Sequence, residues 1–490
     1  MASTVAISPQ MSVDPGAAEY RRQRIARWET IAAQKKGRRR SWGDAYHRRL
    51  ERIYQFLISP GQRVLEIGCG WGDLLGAVKP SAGVGVDFSP AMIEAARGRH
   101  GELQFVEGDA HEFDLAGQTF DAIILSDLIN DLWDVQRVLE RVRAYCHART
   151  RVILNFYSHL WEKPLALAQK VGMASRPLAQ NWLTPPDVAN LLSLAGFQTM
   201  RHWEEVLCPM GIPGLAPLCN RWLVKMWPWR FAALTNFMIA RPEGMTVMGE
   251  GAPKVSVIVP ARNEAGNIAA IFNRTPELGS GTELIFVEGH SGDDTLGEIE
   301  RQAAANPHRA CRILRQSGKG KGDAVRLGFA EAQGDILMIL DADLTVAPED
   351  LPRFFDAISE GKGEFINGVR LVYPMERRAM RLLNLAGNKF FSFTFSWLLG
   401  QRVKDSLCGT KVMWREDYRK LAAGRDYFGD FDPFGDFDLL FGASKMNLKI
   451  VDLPIRYRQR TYGATNIHRW RHGWLLLKMS CFAASRLKFV

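Results

Sequence analysis

The feature that most constrains the fold of this 490-residue chain is a short buried strand followed by two carboxylates. Residues 335–340 read Asp-Ile-Leu-Met-Ile-Leu, an apolar run of the kind found in the core of a parallel sheet. A basic, glycine-rich run and a helix-like segment precede it over residues 317–334, and this order indicates an α/β unit. Asp341 and Asp343 follow the strand directly, at the edge where open α/β sheets bind ligands.

Asp341 and Asp343 are candidates for a divalent-metal site. Side chains alternate along an extended segment, so the two carboxylates are expected on the same side of the chain, where they would repel each other. A cation that links them to a diphosphate would relieve this repulsion, and hard oxygen ligands favour Mg²⁺ or Mn²⁺. The alternative is a solvated Asp-x-Asp turn, but the preceding strand and basic run favour the metal site.

Composition narrows the class of protein. A chain of this length predicts two or three domains, and 47% apolar with 24% charged residues is ordinary for a soluble globular protein. The seven cysteines lack paired spacing, which argues against a zinc site or a disulfide framework. No signal-peptide pattern and no apolar run long enough to span a bilayer is found, so we expect a cytoplasmic chain. The net charge of +10 calls for an anionic partner: nucleotide, lipid headgroups or nucleic acid.

The expected domain organisation has four parts. A basic arm covers residues 1–40, and its charges predict either a solvated helical face or a contact with membrane or nucleic acid. One domain covers residues 41–240 and a second covers 254–490. The linker between them, 241–253, lacks periodicity and contains three glycines and two prolines.

The first domain begins with a strand, a glycine-rich turn and a helix. Residues 64–67 form the strand, and glycines in the turn allow a ligand to approach the backbone. This signal alone is weak, because phosphate and dinucleotide sites also use it. Two later strands end in acids, Asp87 and Asp109, which could accept hydrogen bonds from ribose hydroxyls and from an adenine amino group. A fourth strand covers residues 120–126.

This order resembles that of a class I S-adenosylmethionine-dependent methyltransferase, over roughly residues 40–240. The resemblance implies a Rossmann-like fold with a site for the cofactor. The methionine part would be lined by Glu66, Gly68 and Gly70, and the ribose would be held by Asp87. The adenine would be held by Asp109 and Ala110, with Ser126 beside the cofactor. The segment after Ser126, residues 127–133, lies where this family places acceptor contacts. The methyl acceptor itself is not specified by any motif.

An aromatic cluster lies late in the first domain and consists of Trp222, Trp227, Trp229 and Phe231. We interpret it mainly as core or interdomain packing, with a membrane-facing patch as the alternative.

The second domain contains four motifs in order: residues 255–264 (VSVIVPARNE), 286–295 (FVEGHSGDDT), the glycine-rich run and LDADL at 340–344. Together they resemble an inverting family 2 glycosyltransferase with the GT-A fold, over about residues 254–475. The similarity is greatest to the polyprenyl-phosphate sugar transferases.

This second resemblance implies a site for a nucleotide-sugar donor. The base and ribose would be bordered by Pro260, Arg262, Glu264 and Glu288. Lys321 would lie beside the diphosphate, and Asp341 and Asp343 would hold the diphosphate through a metal. The chain departs from the family at two places. Arg262 stands where an aromatic residue is usual, and Glu288-Gly289 stands where two acids are common. The base of the nucleotide therefore stays open.

The acceptor side offers two kinds of group. A hydroxyl acceptor needs a base, for which Asp436 or Asp438 is available. An acceptor phosphate is already a nucleophile and needs cations instead, for which Arg370 and Arg381 are available. Arg460 lies in a segment that resembles the family's donor-closing loop, where it would stabilise charge on the departing diphosphate.

The sequence therefore predicts a fusion of two enzymes. One half transfers methyl from S-adenosylmethionine, and the other transfers a sugar to a polyprenyl phosphate. The alternatives are a saccharide or glycolipid acceptor, or a methyltransferase half that only binds or scaffolds. Peripheral membrane contact is expected, with an aromatic run at 390–399 and a basic helix from Trp470 as candidates beside ordinary packing. No nucleic-acid partner is expected, because the basic residues are spread along the chain.

Overall fold

The structure of the chain is a computed structural model that describes residues 15–35, 44–170, 178–247, 251–373, 382–427, 435–460, 462 and 469–489. The chain divides into two compact units, Met1–Met245 and Thr246–Val490. Each is an α/β unit built on a seven-stranded mixed sheet, as the sequence predicts.

The first unit alternates strands and helices in the order that the sequence predicts. Its strands are β1 (Arg63–Ile67), β2 (Ala82–Asp87), β3 (Gln104–Glu107), β4 (Phe120–Ser126), β5 (Cys146–Tyr157), β6 (Phe197–Glu205) and β7 (Thr235–Pro242). Its helices are α1 (Pro15–Lys35), α2 (Asp44–Leu57), α3 (Asp73–Ala77), α4 (Pro90–Arg99), α5 (Val135–Arg143), α6 (Glu162–Lys170), α7 (Pro185–Leu194) and the single turn α8 (Leu215–Pro217).

The sheet of the first unit has the strand order β3-β2-β1-β4-β5-β7-β6, with β7 antiparallel to both of its neighbours. The carboxyl ends of β1 to β5 therefore meet at one edge. Successive residues of β1 enter different cores: Val64 packs in one hydrophobic cluster and Leu65 in another. A strand buried on both faces in this way reads as a continuous apolar run.

Part of the predicted basic arm packs onto the first unit. Arg24 of α1 is 4% exposed, donates a hydrogen bond to the Ala179 carbonyl oxygen and lies 3.6 Å from the Asp131 carboxylate. Tyr20 lies edge-on to the Trp133 ring at 5.1 Å. The helix is thus held at the carboxyl edge of the sheet by ionic and aromatic contacts that its own sequence does not specify.

Two expectations for the first unit need correction. Strand β7 extends to Pro242, so the first two residues of the expected linker belong to the sheet, where Arg241 pairs with Gln198. The aromatic cluster is not buried: its four side chains are 46–76% exposed, Trp227 the most. Core packing is therefore the wrong interpretation of this cluster.

The second unit has the strands β8 (Val255–Ala261), β9 (Thr282–Glu288), β10 (Ala310–Arg315), β11 (Ile336–Ile339), β12 (Phe365–Val369), β13 (Lys411–Trp414) and β14 (Ile450–Pro454). Its helices are α9 (Ala265–Arg274), α10 (Thr295–Ala305), α11 (Lys321–Glu331), α12 (Leu351–Ser359), α13 (Leu382–Leu399), α14 (Arg415–Ala423), α15 (Asp436–Lys445) and α16 (Arg469–Ala483). The strand order is β10-β9-β8-β11-β13-β12-β14, with β13 antiparallel to its neighbours.

Pro260, a residue expected at the nucleotide base and ribose, lies inside β8. The strand continues to Ala261 and pairs with β9 there, whereas its pairing with β11 ends at Ile258. Proline is tolerated at this position because the neighbouring strand on that side has already ended and needs no amide hydrogen.

Among the helices that the structure describes, none is long and apolar enough to cross a membrane.

The two separate cores predict two unfolding transitions. Phe237 is fully buried between Tyr54 and Trp203, and its substitution by alanine should destabilise the first unit by about 3–5 kcal/mol. Differential scanning calorimetry should show the transition of the first unit at a lower temperature than in the wild type and the transition of the second unit unchanged. The matched variant Phe286→Ala, in the second core against Phe272, should move the other transition. One shared transition that shifts in both variants would contradict independent cores.

Candidate functional site

The turn after β1 leaves room for a ligand at one of its glycines. Gly68, Gly70 and Gly72 all have positive φ angles, of 73°, 52° and 74°. A Cβ atom on Gly68 would lie 2.8 Å from Leu128 Cδ1, and one on Gly72 would lie 2.6 Å from the Phe105 ring. A Cβ atom on Gly70 would meet nothing within 4 Å. The protein packs against the outer two glycines, and the middle one faces open space.

Glu66, the penultimate residue of β1, lies close to this turn in the sequence and has an unpartnered oxygen. The side chain is 3% exposed, and its Oε2 atom has no hydrogen-bond partner. Burial raises the pKa of Glu66 well above its ordinary value. A buried acceptor without a partner is costly, so this oxygen suits a cationic group such as the ammonium of a methionine moiety. Glu66 thus fits the position that the sequence analysis assigned to it.

Asp87 holds the glycine-rich turn against the next helix. Its Oδ2 accepts a hydrogen bond from the Gly70 amide and its Oδ1 accepts one from the Ser89 amide, both at 2.9 Å. Ser89 in turn caps α4. Each carboxylate oxygen can accept a second hydrogen bond, so Asp87 remains able to bind a ribose while it fixes the turn.

Asp109 already has two partners, and sequence reasoning missed both of them. Arg21 of α1 lies 3.1 Å from its Oδ2, and the His111 ring nitrogen lies 2.7 Å from its Oδ1. Burial alone would raise the pKa of Asp109, but the hydrogen bonds from His111 hold it below its ordinary value. An adenine amino group would share this carboxylate with Arg21. The neighbouring Ala110 side chain is buried in the core.

Asp127 follows Ser126 at the end of β4 and forms the centre of a buried polar network. Its Oδ1 accepts hydrogen bonds from the Tyr46 hydroxyl, at 2.8 Å, and the Asn155 amide, at 2.5 Å. Its φ is 51°, which is rare for a residue other than glycine. Burial raises the pKa of Asp127 to about 7, against these hydrogen bonds. The expected methyl-acceptor segment thus carries a carboxyl group that can exchange a proton near neutral pH.

In the second unit, the loops after β8 and β9 are tied together. The Asn263 amide donates to Ser291 Oγ at 3.0 Å, and the Gly292 amide donates to Asn263 Oδ1 at 2.7 Å. Arg262 is exposed beside them. Sequence reasoning missed Asn263 as a bridge, because only the folded sheet brings the two loops together.

The two glutamates of this edge differ in their surroundings. Glu288 Oε1 accepts a hydrogen bond from the Ser291 amide at 2.6 Å. Glu264 Oε2 accepts one from the Asn267 side chain at 2.7 Å, and its Oε1 lies 3.4 Å from Arg460 Nη1. Burial raises the pKa of Glu264 to about 7, although Arg460 opposes the shift. Glu264 therefore changes charge near neutral pH in the absence of a ligand.

Asp341 and Asp343 each pair with a cation that the sequence assigned to the donor site. Lys321 Nζ lies 2.6 Å from Asp341 Oδ1, and Arg460 Nη2 lies 2.6 Å from Asp343 Oδ2. Burial would raise the pKa of Asp341, but Lys321 holds it below its ordinary value. Four predicted residues from distant parts of the sequence thus meet at one strand end.

The sequence predicts an extended backbone between these two acids, but the structure has a turn there. The Leu344 amide donates to the Asp341 carbonyl oxygen at 3.2 Å, which closes a turn, and Asp343 Oδ1 accepts from the Thr345 amide at 3.1 Å. The turn begins where the pairing of β11 with β8 stops: the pairing ends at Ile339 and Ile258, and Pro260 two residues further along β8 has no amide hydrogen with which to continue it.

These acids fit a divalent cation only together with a phosphate ligand. Within the described ranges, no three His, Cys, Asp or Glu side chains gather as a metal-binding group. Mg²⁺ is commonly held by one or two carboxylates plus substrate phosphates, which matches Asp341 and Asp343 with a donor diphosphate. Lys321 and Arg460 would then be released to contact phosphate oxygens.

The acceptor-side residues are only partly described. Arg370 forms a bidentate pair with Asp405, at 2.7 and 2.9 Å, so its guanidinium is already bonded. Asp438 is buried and lies 2.9 Å from Arg425. Arg381 lies outside the described residues, and so does the side chain of Asp436, which begins α15. The acceptor roles of these four residues stay predictions.

Gly409 is a site residue that sequence reasoning missed. A Cβ atom there would overlap both Asp341 Oδ2 and Lys321 Nζ. Only a glycine therefore leaves room for this ion pair. The dipeptide Cys408-Gly409 precedes β13 and carries no motif of its own.

Comparisons with known proteins assign a family to part of each unit. Residues 64–148 match a methyltransferase domain, and residues 256–422 match glycosyl transferase family 2. Glycosyltransferase AglJ of Haloferax volcanii is 29% identical over 224 residues, which are 45% of this chain and 69% of that protein. Dolichol-phosphate mannosyltransferase of Saccharomyces cerevisiae is 37% identical over 26% of this chain and 51% of its own length.

Two solved structures cover one unit each with low TM-scores. The putative methyltransferase in the Haloferax volcanii Trm112 complex has 16% identity and a TM-score of 0.34, and covers 44% of this chain and 96% of its own. Glucosyl-3-phosphoglycerate synthase of M. tuberculosis has 21% identity and a TM-score of 0.34, over 48% of this chain and 81% of its own. The domain assignment rests on the family matches, not on these structures.

Gly409→Ala tests the ion pair at the strand end. The added methyl group should displace Asp341 and Lys321, and a displacement of this kind should weaken Mn²⁺-dependent binding of UDP or GDP by about 10- to 100-fold. Isothermal titration calorimetry measures the effect. Gly387→Ala on α13 is the control, since a Cβ atom there meets nothing within 4 Å. Equal affinity in both variants would show that the pair takes no part in binding the diphosphate.

Glu66→Gln tests the unpartnered oxygen. Loss of the charge should weaken S-adenosylmethionine binding by about 1.5–3 kcal/mol, as expected for a hydrogen bond to a charged group. Because burial raises the pKa of Glu66 and a cationic ligand lowers it again, binding to the wild type should release a proton that the variant does not release. Calorimetry in two buffers with different ionisation enthalpies measures this proton.

The matched control for Glu66 is Glu94→Gln, on the exposed side of α4. It should bind the cofactor with wild-type affinity and proton release. A Glu66 variant that behaves like this control would remove Glu66 from the cofactor site.

Proposed function

We propose that this chain, which carries a methyltransferase domain and a family 2 glycosyltransferase domain, is a bifunctional transferase of lipid-linked sugars. The second unit transfers a sugar from a nucleotide-sugar to a polyprenyl phosphate, and the first transfers methyl from S-adenosylmethionine. The chain spans 69% of the first curated relative and about half or less of the others, so both activities of the whole protein are part of the proposal.

The observation that carries the sugar-transfer proposal is the pairing of Asp341 with Lys321 and of Asp343 with Arg460. Two acids and two cations at one strand end can exchange partners when a metal and a diphosphate enter. The acids then hold the metal, and the cations bind the phosphate oxygens. A divalent cation supplies Lewis-acid stabilisation of the departing nucleotide, and Arg460 adds a preorganised positive charge there.

The choice of acceptor follows from the chemistry of the nucleophile. A polyprenyl phosphate oxygen is already anionic and attacks without a base, in line with the departing diphosphate and with inversion at the sugar carbon. Arg370 and Arg381 are the proposed cations for it. A saccharide hydroxyl would need Asp436 or Asp438 as a base instead. Several curated relatives carry polyprenyl-phosphate transferase names, which favours the phosphate.

The methyl-transfer proposal rests on Glu66, Asp87 and Asp109 around the open Gly70. Each would bind a different part of the cofactor: the ammonium, the ribose and the adenine. Asp127 is added as the group that faces the acceptor, because it can take up a proton near neutral pH while Tyr46 and Asn155 hold it in place. The protein is proposed to work at the cytoplasmic surface of a membrane.

The product of sugar transfer distinguishes the acceptors. Radiolabelled sugar from a panel of nucleotide-sugars should enter a product that partitions into organic solvent and is released by mild acid. Label that stays with a water-soluble saccharide would favour the hydroxyl acceptor and a base role for Asp436 or Asp438.

Asp343→Asn should abolish metal-dependent sugar transfer. Asparagine keeps an oxygen ligand and removes the charge, so turnover should fall by at least about 100-fold if the charge holds a catalytic metal. Methyl transfer should be unchanged. The measurement is nucleotide-sugar turnover with added Mn²⁺ or Mg²⁺, compared with turnover in the presence of a chelator.

The control for Asp343 is Asp356→Asn, which changes an exposed aspartate of α12 in the same unit. It should keep full activity. Turnover that is indifferent to both the chelator and the Asp343 change would identify Asp341 and Asp343 as a plain turn and overturn the mechanism.

A further inference from the structure

The connection between β6 and β7 presents an unusual amount of apolar surface. We call residues 209–232 the tryptophan-rich segment; all of them are described. Its exposed large apolar side chains are Met210, Leu215, Leu218, Trp222, Met226, Trp227, Trp229 and Phe231, each at least 46% exposed. Large apolar side chains exposed together within one segment indicate an interaction site.

The segment is built with its polar side inward. Asn220 Oδ1 accepts hydrogen bonds from the amides of Leu207 and Cys208, both at 2.8 Å. Lys225 is 8% exposed and forms an ion pair with Glu205, whose other oxygen lies 3.2 Å from Arg49. These buried polar contacts fix the segment to the first unit.

Its outward side is a helical stripe of apolar residues. Leu215, Leu218 and Trp222 are exposed and are spaced by three or four residues along consecutive helical turns, and exposed Met226 follows the last turn with an extended backbone. Helices at the surface of soluble proteins turn their apolar stripe toward the core and their polar side toward water. In this segment the apolar stripe is exposed while Asn220 and Lys225 are buried, so the stripe is suited to meet something other than water.

The charge of the segment identifies that partner. Residues 206–241 contain no Asp or Glu, whereas Arg221 and Arg230 lie within the exposed stretch. Their guanidinium groups lie 5.8 and 5.0 Å from the rings of Trp222 and Phe231. Exposed tryptophans interleaved with arginines match the boundary between headgroups and acyl chains, where the rings enter and the cations meet anionic headgroups.

The segment also lies at the functional edge of its sheet. It joins the carboxyl end of β6 to Thr235, the first residue of β7, which pairs with Tyr157 at the end of β5. Tyr46 contacts both Thr235 Oγ1, at 3.2 Å, and Asp127. The apolar surface and the expected methyl-acceptor group are therefore on the same edge.

We propose that the tryptophan-rich segment is the surface by which the first unit rests on an anionic lipid bilayer, with Trp227, Trp229 and Phe231 inserted at the headgroup level. This inference deepens the membrane part of the proposed function and rests on it for its biological context. It places methyl transfer at the bilayer surface, where a lipid-linked acceptor would be presented.

The test is binding of the full chain to vesicles of phosphatidylcholine and phosphatidylglycerol that contain no polyprenyl phosphate. The variant Trp227→Ser/Trp229→Ser/Phe231→Ser should reduce the partition coefficient by about tenfold or more, because it removes most of the inserted apolar area. Arg230→Gln should weaken binding less, and the wild-type protein should bind better at low salt and poorly to neutral vesicles.

A matched control removes the same kind of surface elsewhere. Leu160→Ser/Leu167→Ser/Leu194→Ser replaces three side chains of the first unit that are 55–63% exposed and lie outside the segment. It should bind vesicles like the wild type. The single variant Trp227→Ser changes a side chain that is 76% exposed, so it tests the same contact with little risk of misfolding. The thermal transition of the first unit should be the same in every variant as in the wild type.

Three outcomes would overturn the inference. The triple tryptophan-segment variant could bind like the wild type, which would move the contact to another surface, such as exposed Trp474 of α16. Binding could be indifferent to lipid charge and salt. The wild type could be a dimer that the variant dissolves, which would make the segment a protein interface. Sugar transfer to soluble short-chain prenyl phosphate, measured in parallel, separates each of these failures from failure of the proposed enzyme.

Discussion

Carboxylates that are partly or fully buried at the carboxyl edges of two sheets are the constraint on which both sites depend. An ionised carboxylate loses its hydration when it is buried and must recover that energy from cations or amide hydrogens. The chain supplies these partners from distant segments: Arg21 for Asp109, Lys321 for Asp341, Arg460 for Asp343 and Arg370 for Asp405. Each pair ties a loop or helix to the end of a strand, so the same interactions organise the sites and hold the surrounding loops.

Three carboxyl groups are compensated less fully, and they lie where ligands are expected. Glu66 keeps an oxygen without a partner, and burial raises the pKa values of Asp127 and Glu264 to about 7. Perturbed pKa values of this kind cluster at functional positions, because a ligand or a proton completes the missing compensation. Asp405, by contrast, has both of its carboxylate oxygens paired with Arg370.

The segment between β6 and β7 exposes large apolar side chains that surface helices of soluble proteins usually turn toward the core. Between β6 and β7, Asn220 and Lys225 face the protein while tryptophans face outward. An inward polar side costs desolvation unless every group is bonded, and Glu205 and Arg49 supply those bonds for Lys225. Such an arrangement suits the proposed contact of this segment with lipid.

The sequence by itself determined the two α/β classes, the order of the motifs and most of the residues at each strand end. It could do so because parallel strands bring their carboxyl ends to one edge, so residues that follow successive strands must meet. The sequence did not determine what those residues touch. Arg21 at Asp109, Gly409 beside Lys321 and the outward tryptophans all depend on segments that are distant in the chain. Their positions follow from packing and charge compensation in three dimensions, which no local pattern of residues records.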